Sequence, residues 1–173
     1  VKLLLVLWLG GIATLVASFY RPDPYEALEP MLTHVGAAEA AAARKDWKAC
    51  CRAYEEAIAT CPADDVDRRM RLQLTLAVAR IQDDQLPQMR TELITLLRDA
   101  EATGTSTGLV EDIRFALAKA SYDLAWQLRL GGAHPELWRE PAATACQHFR
   151  LLATEAMRAG AQRTVDYQRY LES

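Results

Sequence analysis

Two hydrophobic patterns divide the chain. Leu3 to Phe19 (LLLVLWLGGIATLVASF) is an uncharged, almost wholly apolar run, preceded by Lys2 and followed at once by Arg21-Pro22-Asp23-Pro24. From about residue 31 onward, apolar positions recur instead at intervals of three and four, the spacing of one face of an α-helix. The spacing and its interruptions predict helices over 31–44, 46–60, 66–81, 86–101 and 109–130, then from 136 or 141 to 158, and a short one over 161–171. Pro62, the small polar stretch from Thr103 to Gly108, and Gly131-Gly132 with Pro135 supply the breaks. Pro141 is tolerable near a helix start but not deep inside one, which leaves the start of the sixth helix open. Leu72, Leu74, Leu76 and Val78 alternate like a strand. Met70, Leu74, Ala77 and Ile81 nevertheless mark one helical face, and Leu72, Leu76 and Ala79 another. The expectation is a helix that is apolar on two sides because it is sandwiched.

The seventeen residues of the first run give roughly 25 Å of helix, near the lower limit for spanning a hydrocarbon core. The run reads as a retained transmembrane anchor, as a signal peptide cut after Val16-Ala17-Ser18, or as a buried N-terminal helix. The anchor is the expectation, because the run stays apolar through the cut site and Phe19-Tyr20 suits a membrane interface. Lys2 against Arg21 specifies orientation only weakly, with the body expected on the extracytoplasmic side and secretion as the alternative. Residues 21–30 (RPDPYEALEP), with three prolines, form a stiff spacer, and 31–173 form one helical domain.

Alanine abundance is a helical composition, so the fold class is all-α. A net charge of −3 and a pI near 5.7 give no electrostatic case for nucleic-acid binding. Cys50, Cys51, Cys61 and Cys146 contain no C-x-x-C metal pattern. Cys50 and Cys61 lie about 16 Å apart on one helix, too far to pair. One long bridge to Cys146 is open in an exported body, but small apolar residues in a helical core are the expectation.

Lys45-Asp46-Trp47 forms a turn, followed by Cys50, Tyr54, Ala57 and finally Pro62, with Ala38 in the preceding helix. This series resembles the tetratricopeptide repeat, whose second helix follows a Gly-Asp-Tyr turn with a small residue, an aromatic and another small residue before proline. The match is good over residues 31–64. It loses the aromatic and small residues in the second pair (Ala77 with Met89, Leu93 and Leu96). It keeps Ala145 and Phe149 in a third pair with an enlarged loop. The resemblance implies a TPR-like stack of three antiparallel helix hairpins, capped by 161–171. It also implies a protein-binding groove lined by the first helix of each pair. Family members that grip a terminal carboxylate use Lys, Asn and Arg there. This chain offers Leu32, Val35, Gly36, Glu39 and Ala43, so that clamp is absent.

No set of residues converges on a reaction. Cys146-Gln147-His148 diverges on a helix, giving a core cysteine and a surface histidine. His34 and His134 are isolated, Glu55-Glu56 and Asp83-Asp84 read as solvated, and Arg68 to Arg71 as a solvated face beside aspartates. Trp138 either covers Trp126 or Leu130, or stands exposed as an anchor for a partner. No cofactor or metal is expected, and the chain is read as a non-enzyme. The expected function is a membrane-tethered scaffold, a subunit or assembly factor of an envelope complex. It would bind another protein, or a second copy, through Val35, Glu39, Ala42 and Trp138. The alternative is an exported helical enzyme or ligand-binding domain.

Overall fold

Short polar turns cut the chain into helices, and in each turn the backbone caps are visible. The computed structural model describes residues 28–158. The Leu3–Phe19 run, most of the spacer and the expected 161–171 helix lie outside the described residues. The described residues fold as α1 (Glu29–Ala43), α2 (Trp47–Thr60), α3 (Val66–Gln82), α4 (Leu86–Thr103), α5 (Thr107–Leu130) and α6 (Pro135–Arg158), with no strand among them. None of these helices is long and apolar enough to cross a membrane.

Asp46 and Asp65 accept hydrogen bonds from the backbone N–H groups of Ala49 and Arg68, each at 3.1 Å, and so cap α2 and α3. At the other ends one closure recurs. The N–H of Asp46 reaches the Ala41 carbonyl, Gln85 the Arg80 carbonyl, Thr105 the Ala100 carbonyl and Ala133 the Leu128 carbonyl. Each closure needs a left-handed residue just before the donor. Gly104 and Gly132 supply two, while Lys45 (φ 59°) and Asp84 (φ 62°) supply the others without being glycine.

The boundaries depart from expectation where proline is involved. Pro30, assigned to the spacer, lies in the first turn of α1, where a missing N–H leaves nothing unpaired. Pro141 lies inside α6, which is continuous from Pro135. The carbonyl left without its donor belongs to Leu137, an exposed residue, so water can satisfy it while the Pro141 ring is buried. The polar loop after α4 shrinks to residues 104–106, because Thr103 ends one helix and Thr107 begins the next.

Successive helices pack against each other, and α3 also touches α5. A comparable contact between α1 and α3 is missing. The core divides accordingly. Met31, Ala38, Cys50, Tyr54 and Ala57 pack with Leu72, Leu76 and Ala79 of α3. Met70 and Ala77, on the other side of α3, pack with Met89, Leu93, Ile113 and Leu117. Helix α3 is therefore sandwiched, as its two apolar faces predict. Helix α5 repeats the device, turning Ala118 and Phe115 toward Ala145, Phe149 and Leu152 of α6. Phe115 meets Phe149 edge-on, with ring centroids 6.1 Å apart.

Candidate functional site

Helix α3 is deeply packed on α2 and α4 but not covered along its whole length. Above it an open cleft of about 510 Å³ remains between the flanking helices. Ile58, Leu76, Ala77 and Leu96 give it an apolar floor. Gln73, Thr91, Thr95 and Asp99 line its sides, and Glu55, Arg80 and Glu92 close one end. There the Arg80 guanidinium bridges the walls, 2.8 Å from Glu55 on α2 and 3.4 Å from Glu92 on α4. The hydrogen bond to Glu55 holds the Arg80 pKa above its already high ordinary value, so this side chain is a permanent cation.

Of the first helices of the pairs, which the repeat resemblance singled out, only α3 lines the cleft; its other lining comes from the second helices α2 and α4. Val35 and Ala42 are half-buried and pack against the first core cluster, so they are partly structural. Glu39 is exposed. Trp138 is far from all three along the chain, at the α5–α6 hairpin. Helices α5 and α6 are each 24 residues long, whereas α3 has 17 and α4 has 18. Their hairpin therefore overhangs by about 9 Å. Trp138 is half-buried there, with the Arg129 guanidinium 5.7 Å from its ring centroid. Trp126 remains 46 % exposed and Leu130 70 %, so Trp138 packs with Arg129 rather than sealing either of them.

Several residues expected to stand alone have partners. His34 Nδ1 is 2.9 Å from Glu56, and His134 lies 3.8 Å from Glu136. Adjacent Glu55 and Glu56 thus diverge to different partners. In the Arg68–Arg71 cluster, Arg68 pairs with Asp65 and Arg69 donates to the Cys61 carbonyl at 2.9 Å. Arg71 lies near Asp112 and Ser106. These arginines tie turns together, so the cluster is more than a solvated face.

The Cys146/His148 assignment reverses. Both residues flank the Ala145–Phe149–Leu152 stripe of α6, on opposite sides, so burial depends on which flank a neighbour covers. Cys146 is exposed and His148 half-buried. Burial pushes the His148 pKa down, Arg114 adds to this, Glu101 opposes it and Arg90 acts weakly in the same direction as Arg114. Cys50, Cys51 and Cys61 are buried, all four cysteines are free, and burial raises the pKa of each buried thiol. No group of three His, Cys, Asp or Glu side chains is placed to hold a metal ion among the described residues.

Sequence reasoning missed the arginines that join helices. Arg90 of α4 reaches Ser121, Glu140 and Thr144. Arg114 of α5 binds Glu155 through both carboxylate oxygens, at 3.1 and 3.0 Å, and Glu101 at 2.9 Å. The available signal was position: Arg90 follows Met89, and Arg114 follows Ile113, each at the margin of an apolar stripe. The chain has no significant match among protein-family models, curated proteins or solved structures.

Proposed function

We propose that the protein is a helical scaffold that binds another protein, tethered to a membrane through Leu3–Phe19 with its body on the extracytoplasmic side. The observation that carries this reading is the cleft over α3: an open cleft with half-exposed Ile58 and Leu96 above buried Leu76 and Ala77, framed by polar walls, on a helical body braced by arginines. Such a surface suits a helix or extended segment laid along it. The TPR-like reading belongs to the same proposal. It is supported by the left-handed Lys45 at the family's glycine position and by burial of Ala38, Cys50, Tyr54 and Ala57. The lack of an α1–α3 contact comparable to that of α3 with α5 weighs against a regular superhelix.

The test is a photo-crosslinking residue at Thr95, on the cleft wall, in the full-length chain within its native membrane. A control carries it at Lys119, exposed on α5. A discrete protein adduct from the Thr95 position alone is expected. Equal adducts from both positions, or none, would reject the cleft as a binding surface. Intact-mass measurement of the same membrane-bound material checks the anchor, since a chain beginning at Phe19 has been cleaved.

A further inference from the structure

We infer that the cleft over α3 accepts one face of a cationic amphipathic helix, with apolar side chains on the floor and Lys or Arg against the rim. This rests on the protein-binding reading and adds the chemistry of the partner. Three carboxylates line the cleft, Glu55, Glu92 and Asp99, against the single cation Arg80, so its formal charge is −2. Arg80 is already shared between Glu55 and Glu92, and all three acids remain roughly half exposed. Each therefore keeps carboxylate surface that an incoming cation can reach. Asp99 pairs instead with Arg98, 3.8 Å away and largely solvated, a weak competitor outside the cleft lining.

Length and volume choose the form of the ligand. The α4 wall runs from Thr91 to Asp99, about 12 Å along the helix axis, which is about two turns of a docked helix. Ile58, Leu76, Ala77 and Leu96 offer apolar contact along that distance but no polar group to satisfy a buried backbone. A helix satisfies its own backbone, whereas an extended segment would depend on the few polar side chains of the walls, Gln73, Thr91 and Thr95, to pair the N–H and C=O groups turned toward this floor. The acids stand on both walls, Glu55 on α2 and Glu92 and Asp99 on α4. Cations flanking an apolar stripe on both sides therefore meet them. Rim charges of this kind set the approach and exclude acidic competitors more than they add affinity.

The full-length chain in detergent is panned against a phage library of helix-favouring peptides, and clones are sorted by loss of binding to Thr91→Gln/Thr95→Gln. That variant narrows the cleft with neutral, helix-compatible side chains at exposed positions. Cleft-dependent clones should carry apolar residues at i and i+3 or i+4, flanked by Lys or Arg. Their binding should fall at least tenfold in Glu92→Gln/Asp99→Asn and weaken with added salt. Cleft-dependent clones without excess positive charge, or indifferent to the charge variant, overturn the inference and leave the protein-binding reading intact. The inference also falls if the only cleft-dependent ligand is a second copy of this chain. If no clone depends on the cleft and Thr95 yields no crosslink, both readings fall together. Circular dichroism of each variant confirms that helicity is retained.

Discussion

The hydroxyl of Ser121, fully buried on α5, accepts a hydrogen bond at 3.0 Å from the Nε of Arg90 on α4. The same guanidinium donates to Glu140 at 2.6 Å and to Thr144 at 3.3 Å on α6. One side chain therefore satisfies a buried polar atom and connects three helices, and its own exposure is only 13 %. A planar guanidinium with several fixed donors suits that task in a way that lysine does not.

Removing Arg90 should be felt chiefly through Ser121. Arg90→Met leaves a buried hydroxyl without its donor, costing about 1–3 kcal/mol. Ser121→Ala strands the Nε instead. Because both lesions concern one contact, the double variant should be less destabilised than the sum, with a coupling of about 0.5 kcal/mol or more. Urea unfolding of the four proteins measures this. Strict additivity would show that the two residues do not share the interaction.

Tyr54 is 7 % exposed between α1, α2 and the Leu72–Leu76 face of α3. Truncation to alanine removes a packed ring from the site where the first pair meets its neighbour. A loss of about 3 kcal/mol or more is expected. A change below about 1 kcal/mol in the same unfolding series would mean that this junction contributes little, a magnitude typical of surface changes.

The helices were legible because periodicity and punctuation both report local geometry. The two apolar faces of residues 66–81 also disclosed that α3 is sandwiched, since a helix wet on one side has no use for Leu72 and Ala77 together. The cleft was not legible. Leu76 and Ala77 are core residues at the bottom of the cleft, and Ile58 and Leu96 at its sides look like core in any linear reading, yet the separation of α2 from α4 leaves those two half-exposed. Glu55 and Arg80 are 25 positions apart, beyond any periodic pattern. The Cys146/His148 reversal has the same origin: a helical stripe shows its flanks but not which flank a neighbour covers.

Lys45 and Asp84 hold left-handed conformations that close α1 and α3. For residues with a Cβ this geometry costs about 1–2 kcal/mol, and less for Asp than for Lys. Lys45→Gly relieves the strain but adds unfolded-state entropy, so a net gain of about 0.5 kcal/mol is expected. Asp84→Gly should gain less. A thermal-unfolding comparison settles the order, and destabilisation by Lys45→Gly would show that its side chain contributes more than its backbone strain removes.

Thiol labelling should separate the cysteines in two steps. Cys146 is exposed on α6, while Cys50, Cys51 and Cys61 are buried with their thiol pKa values raised by desolvation. A small alkylating reagent near neutral pH should modify Cys146 first. The other three should react only on the timescale of unfolding, because both access and thiolate fraction are suppressed. Mass spectrometry of a labelling time course reads the order directly. Rapid modification of Cys50 in the native chain would contradict the packing of the first pair.

His148 should make stability depend on mild acidity. Its Nδ1 is buried without a hydrogen-bond partner among the described residues. Burial, with Arg114 beside it, lowers its pKa from an ordinary value near 6.5. In the unfolded chain the imidazole gains a proton as pH falls through that ordinary value, while in the folded chain it stays neutral. The unfolded state then binds more protons, so its share of the population grows. Stability is therefore full above about pH 6.5 and declines below it, until the folded-state pKa is also passed. Parent protein and His148→Gln are compared by urea midpoint at a series of pH values from mildly acidic to slightly alkaline. The variant has no imidazole to titrate, so its midpoint should fall less on acidification than the parent's. Parallel curves would show that His148 protonates equally well in the folded and unfolded chains, and that its partial burial imposes no electrostatic cost.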